Sequence, residues 1–384
     1  MNVTDTVIKR IRENTSRLQR HNVKKALIII DVETYPIGDS VVFFSKIRAL
    51  SKYFNGIHFD VITNKRHYIF LRYFPVIRKF YFDFSEVNVP GYDLVINFSV
   101  DDTALAGIVC KEYDRLALNE EPSFGIYNLY AEQGKEDRLL FPYLHEFHSY
   151  LLGEYNYTRD FIGHEIHLSD EEIEWGNNWF RQKGLQYNEK VIILLDSTNV
   201  RDKLMPIDVY FELVRFFMTL KHTRILVFDP YNNNKKLFYE YMLGADNLEN
   251  FIFVEPHGLR NDFCLLASDF VHLIFGPCTG ILHCTEGIYN VLDNKGKLQR
   301  EWPLMICYLG PAAVDAVDKW FWWGETHVDC LYIDHIIKSP EQYIVKKLDG
   351  PGRLGLPCSE FKAAPLIRYI REHYGPRLKN WQMI

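Results

Sequence analysis

The sequence predicts an α/β protein of two Rossmann-like, doubly wound parallel-sheet domains. Three observations predict it. ALIIID (26–31) and KVIILLD (190–196) are short β-branched apolar runs, as expected of strands buried on both faces of a parallel sheet. Such runs alternate with helical patterns, and strand–helix–strand crossovers in one direction build parallel sheets covered by helices. The alternation runs twice, interrupted by a polar stretch near 150–188, and 384 residues suit two domains of about 100–200 each.

Taken in order, residues 1–25 carry seven Lys or Arg against Asp5 and Glu13, a net of 7 − 2 = +5. Val7, Ile8, Ile11 and Leu18 fall at helical spacing, so the segment reads as an amphipathic helix. The favoured expectation is a helix packed on the body with a solvated basic face, and the sharper one is a peripheral contact with an anionic membrane surface. After ALIIID, the loop VETYPIG leads to Asp39 and a helix in which Val42, Phe43, Ile47, Leu50 and Phe54 share a face. HFDVIT (58–63), YDLVINFS (92–99) and DRLALN (114–119) are read as strands, and 67–84 as a helix followed by a strand. Ser169, followed by acids, is a helix start, because a hydroxyl and carboxylates both satisfy free amides there. The second series comprises strands at 190–196, 224–229, 251–255, 270–275 and 304–310, with helices over 206–220, over 259–267 and from about 279. The expected domains are 1–165, a linker at 166–188, and 189–355. The C-terminal segment 356–384 is expected to carry a helix packing back on the N-terminal domain.

Composition narrows the function. A formal charge of 44 − 50 = −6 argues against a nucleic-acid binder. No apolar run approaches the roughly 18–20 residues needed to cross a bilayer, and the start lacks the apolar stretch of a secretory signal, so a cytoplasmic protein is expected. The seven cysteines are scattered without a C-x-x-C pair, which reads as reduced thiols and no zinc site.

In open α/β sheets, ligands bind beyond the carboxyl ends of the strands. Four loops lie there. In YPIGDS (35–40), Gly38 permits a tight turn and Asp39 opens a helix; it either caps that helix or serves as a general base kept ionised by the helix N-terminus. In DSTNVRDK (196–203), Ser197, Thr198, Asn199, Arg201 and Lys203 supply donors suited to a diphosphate. In FGPCTGILHC (275–284), Cys278, Thr279 and Gly280 lead into a helix whose free amides form an anion cradle, with His283 one turn in. YLGPAA (308–313) reads as a strand end and a turn. Neither G-x-G-x-x-G nor G-x-x-x-x-G-K-[ST] occurs at a strand end, which disfavours a dinucleotide enzyme and a P-loop ATPase.

With these residues in place, the chain resembles glycosyltransferase family 9, the heptosyltransferase-like enzymes of GT-B fold, from about residue 25 to 312. IIIDVETYPIGDSVVFFSKIRAL resembles the family's opening strand, G-D turn and helix, and HFDVIT its second strand. STNVRDKLMP resembles its phosphate loop, ASDFVHLIFGPCTGILHCTEGI its strand–loop–helix signature ending D-T-G-x-x-H, and MICYLGP the turn after it. The resemblance implies that Asp39 is the catalytic base, that Thr198, Asn199 and Lys203 bind phosphate, and that Thr279, Gly280 and His283 bind the donor. Cys278 stands where the family carries an acid, and Met205 where it carries a Trp; no ADP-heptose donor is assigned.

The implied activity is inverting, metal-independent transfer of a sugar from a nucleotide-diphospho-sugar, the co-substrate, to a hydroxyl of a glycan or glycolipid acceptor, with no cofactor. The alternatives are a nucleotide-sugar epimerase of the same fold, or a catalytically silent nucleotide- or glycan-binding protein.

Overall fold

The computed structural model describes residues 3–30, 37–117, 121–131, 134–153, 164–294, 296, 302–311, 328–334, 344–348 and 355–379. The chain divides into two compact units, Met1–Phe161 and Ile162–Ile384.

In the first unit, five strands pair in parallel: β1 (Ala26–Ile30), β2 (Phe59–Thr63), β3 (Ile77–Tyr81), β4 (Leu94–Asn97) and β5 (Gly125–Asn128). Their order is β3-β2-β1-β4-β5, so the order reverses beside β1. β1, β2 and β4 are buried along their whole length, including Asp60 of β2, which accepts from Arg78 and Tyr92, whereas β3 at the edge is partly exposed. Among the described residues six helices accompany them: α1 (Val3–Arg17), α2 (Ile37–Phe44), α3 (Lys46–Tyr53), α4 (Lys65–Leu71), α5 (Ala106–Ala117) and α6 (His145–Leu152). Asn64 caps α4 by accepting from the His67 amide at 2.9 Å.

α1 is a packed helix. Val7 and Ile11 are fully buried in one core with Phe124, Ile126 and Ile108. Part of its basic face is engaged within the protein: Arg10 pairs with Glu121, and Arg12 reaches the carbonyls of Leu139 and Leu140. DRLALN is not a strand. Residues 114–117 finish α5, and 118–119 lie outside the described residues; the stretch continues the helical pattern that starts at Ala106, and the strand pairing with β4 begins only at Gly125.

The second unit has seven strands: β6 (Lys190–Leu194), β7 (Thr223–Phe228), β8 (Phe251–Val254), β9 (Val271–Pro277), β10 (Leu304–Tyr308), β11 (Val328–Ile333) and β12 (Val345–Lys347). Their order is β12-β11-β10-β9-β6-β7-β8, parallel except for β12, and the reversal falls between β6 and β9. Among the described residues its helices are α7 (Asp170–Gln182), α8 (Ile207–Met218), α9 (Lys235–Leu243), α10 (Leu259–Leu266), α11 (Gly280–Asn294) and α12 (Ala363–Lys379).

Two expected boundaries move. Much of the expected linker at 166–188 is α7, opened by a capping box between Ser169 and Glu172 and packed on α10. Gly176 permits that contact, since a β-carbon there would stand 2.1 Å from the Cys264 carbonyl oxygen. Asn177 locks the pair by accepting from Ser268 Oγ at 2.8 Å and from the Asp269 amide at 2.9 Å. The apolar stripe of α12, Leu366, Ile370, Tyr374 and Leu378, recurs every four residues and buries with α8 in the second core.

Candidate functional site

Each sheet reverses its strand order once, and in doubly wound folds ligands gather at that point, beyond the carboxyl ends of the strands. In the first unit the reversal lies at β1. The loop after β1 leads into α2, whose first turn carries Asp39, half-buried; residues 31–36 lie outside the described residues.

Around this edge the structure adds groups that the sequence reading did not name. Lys46, at the start of α3, places its ammonium 4.7 Å from the Tyr130 ring centre and 5.9 Å from that of Phe43. Burial lowers it to about 8, and no carboxylate among the described residues forms an ion pair with it. Phe98, just past β4, packs on Tyr130 with ring centres 5.9 Å apart. His67 is almost fully buried beside Phe44, and burial, with the Arg66 charge, lowers it to about 4. Thr63 Oγ1 at the end of β2 and Ser99 Oγ after β4 are buried without hydrogen-bond partners.

In the second unit the loops that follow β6 and β9 flank the reversal, and both were singled out from sequence. Asp196 closes the first end of the 196–203 loop: it accepts from Tyr239 OH at 3.1 Å and pairs with Lys235, whose Nζ also reaches the Phe228 carbonyl at 2.7 Å and Ser197 Oγ at 3.4 Å. Tyr210 extends this chain with a 2.8 Å contact to Tyr239 OH. Thr198 Oγ1 accepts from the Val200 amide at 3.3 Å, and Arg201–Lys203 form a 3-10 turn. Ser197, Asn199 and Arg201 are exposed, whereas Thr198 and Lys203 are half-buried.

The β9 loop lies against this one. A β-carbon on Gly276 would stand 2.5 Å from Leu195 Cβ and 2.7 Å from the Leu195 carbonyl oxygen, so glycine is what lets the ends of β9 and β6 touch. Thr279 starts α11, its carbonyl accepting from the Leu282 and His283 amides at 3.1 and 3.2 Å. Its hydroxyl does not cap the helix: Oγ1 is buried and without a hydrogen-bond partner, while the first amides of any helix lack intrahelical acceptors. An acceptor-rich ligand such as a phosphate satisfies both.

Lys203, Cys278 and His283 come together. Cys278 Sγ lies 3.8 Å from His283 Nε2. The Cys307 thiol first, then His283 and the Lys203 charge, hold the Cys278 thiol well below the usual range, against the opposing effect of burial. The turn at Gly310 joins the cluster, with its β-carbon position 3.2 Å from Cys358 Sγ and 3.8 Å from the Asp202 carbonyl oxygen. Residues 312–313 of the YLGPAA stretch lie outside the described residues.

Sequence reasoning missed what stands behind His283. Its ring packs edge-on to His164, with centres 5.2 Å apart, and His164 Nδ1 hydrogen-bonds Glu286 Oε2 at 2.5 Å. Asn290 donates to the other Glu286 oxygen at 3.0 Å. The three ionisable groups lie within 4.8 Å of one another, and these bonds satisfy the buried carboxylate, so the cluster reads as a support for His283.

No family model and no curated protein matches the chain. Solved structures do. A glycosyltransferase of family 9 from Veillonella parvula DSM 2008 is 12% identical, with a TM-score of 0.59 over 94% of this chain and 98% of that one. The ADP-heptose lps heptosyltransferase II of E. coli is also 12% identical, with a TM-score of 0.58 over 93% of this chain and 99% of that one. At that identity the likeness is one of fold, and it spans both units: the chain has the two-sheet architecture of these glycosyltransferases.

Proposed function

We propose that the protein is an inverting glycosyltransferase that moves a sugar from a nucleotide-diphospho-sugar to a hydroxyl of a glycan or glycolipid acceptor. The observation that carries this reading is at the reversal of the second sheet. There the half-buried Lys203 acts on Cys278 with its charge, and the next residue, Thr279, leads with its unsatisfied hydroxyl into α11. A cation, a hydroxyl and free amides in one place suit a diphosphate. The fold likeness supports it, since one of the similar structures is that of an ADP-heptose lps heptosyltransferase.

In this reading the donor's phosphates lie against Ser197–Lys203 and the Thr279–Gly280 helix start. Asp39 takes the proton of the acceptor hydroxyl as that oxygen attacks the anomeric carbon from the face opposite the leaving group. The C–O bond to the diphosphate breaks, and Lys203 and the α11 amides take up the charge that develops on the departing oxygen. The protein itself supplies this stabilisation, so transfer needs no divalent ion. The site is read as working in the cytoplasm.

The test starts with thermal-shift screening against nucleotide diphosphates and nucleotide-sugars, because binding raises the melting temperature with occupancy. Transfer is then assayed with the best donor, with and without acceptor and EDTA. Acceptor-dependent, EDTA-resistant product supports the reading. An epimerised nucleotide-sugar formed without acceptor replaces it with an epimerase, and loss of activity in EDTA removes the metal-independent mechanism.

A further inference from the structure

Of the seven cysteines, Cys110 is exposed, Cys278 is half-buried and the other five are buried. Cys278 is therefore one of two thiols open to reagents in solution, and it is the one with an imidazole beside it. Its Sγ lies 3.8 Å from His283 Nε2. His283 is 4% exposed and rests on His164, which is hydrogen-bonded to the fully buried Glu286. Four groups thus run in series from a buried carboxylate to a sulfur that solvent reaches. An imidazole beside a cysteine can take up its proton, and a thiolate, not a thiol, is the nucleophile. The Cys307 thiol first, then His283 and the Lys203 charge, hold this sulfur below the usual thiol range against the effect of burial. Phosphate binding accounts for Lys203 and Thr279, but it calls for neither a thiol at 278 nor a carboxylate two turns along α11 behind it.

We propose that Cys278, with the His283 imidazole placed to take its proton, is a nucleophile, and that it is a site of covalent modification by low-molecular-weight disulfides. In the step, Cys278 Sγ attacks one sulfur of the disulfide RS–SR; the new S–S bond forms as the old one breaks. RS⁻ leaves with the electron pair and takes up the proton that His283 releases once its anionic neighbour is gone. Cys278 is oxidised to a mixed disulfide, and half of the reagent is reduced to a thiol. The attached group stands at the start of α11 beside Thr279. If that end holds the donor's phosphates, as the transferase reading has it, the adduct excludes them; the thiol chemistry itself does not depend on that reading.

The experiment uses the full chain and oxidised glutathione at a series of pH values, with acid quenching and peptide mass mapping. At pH 6.5 the glutathionyl adduct is expected at Cys278 about tenfold faster than at Cys110. Its rate is expected to change about twofold or less between pH 6.5 and 8.5, whereas N-acetylcysteine, an unperturbed thiol, slows roughly tenfold per unit below its own pKa. His283→Gln, which cannot carry the charge, is expected to cut the Cys278 rate at pH 6.5 by about tenfold and to restore the ordinary pH dependence. Glu286→Gln is expected to shift the profile in the same direction by less. A wild-type Cys278 that follows the N-acetylcysteine profile, or an unchanged rate in folded His283→Gln, overturns the proposal. If the variants do not fold, the wild-type profile decides alone. The readout is an adduct mass, so it stands whether or not sugar transfer is found.

Discussion

At the carboxyl edge of the first sheet, polar groups are enclosed by rings and left short of partners: Lys46 lies among Phe43 and Tyr130, His67 beside Phe44, and the Thr63 and Ser99 hydroxyls in the interior. At the corresponding edge of the second sheet, polar groups are enclosed by other polar groups, with Asp196 held by Lys235 and Tyr239, and Cys278 by His283 and Lys203. Both sheets reverse strand order at the same relative place. The difference therefore lies in what surrounds the reversal. Burial against apolar rings moves the protonation of Lys46 and His67 strongly, which suits an edge where protons move. Compensated charges and free amides keep a fixed electrostatic cradle, which suits an edge that holds an anion.

The most severe test of this contrast is Asp39→Asn. General acid–base catalysis contributes about 10²–10⁴-fold, so turnover should fall by that order while calorimetric affinity for a nucleotide diphosphate stays near wild type. Unchanged turnover would detach Asp39 from the proton-transfer edge.

Next in size is a pH effect on the first unit. His67 has a folded value of about 4 against an ordinary 6.5, so the unfolded chain binds its proton more readily. The associated stability is complete above pH 6.5 and is lost as the pH falls toward 4, amounting to about 3 kcal/mol by linkage. Urea unfolding at pH 7 and 4.5 should show a decline that His67→Gln reduces; equal declines in both proteins would remove His67 as the cause.

Gly276→Ala probes the crossing of β6 and β9. A methyl group forced onto the Leu195 backbone should cost about 2 kcal/mol in urea unfolding and weaken nucleotide binding with it. Lys203→Ala should loosen a nucleotide diphosphate by about tenfold, in the range of a charge-assisted hydrogen bond, without shifting the melting temperature. The smallest effect is expected of Tyr210→Phe, which removes one hydrogen bond to Tyr239 and should cost about 1 kcal/mol.

The sequence discloses these two edges unequally. The second was legible because its groups are local: Ser197 to Lys203 and Cys278 to His283 each lie within one turn or loop after an unmistakable buried strand. The aromatic setting of Lys46 was not, because Tyr130 reaches it from beyond β5 and no spacing along α3 announces it. Glu286 and His164 were hidden for the same reason, since 122 residues separate two groups that share a hydrogen bond. The reading of DRLALN as a strand failed because four residues of a helix end look like a short apolar strand when the preceding turns are ignored. α7 looked like a linker because its exposed face is rich in acids, while its buried side depends on one glycine and one asparagine whose partners on α10 and just beyond it lie far along the chain.

The absence of a side chain at position 276 also sets a limit on redesign. The loops after β6 and β9 leave neighbouring strands that pack too closely at this point to admit a β-carbon, so any larger residue there would have to move Leu195. Attempts to redirect the protein to a different nucleotide should leave this frame alone and vary the outward-facing positions 197, 199 and 201, where new groups can be added without disturbing the seam.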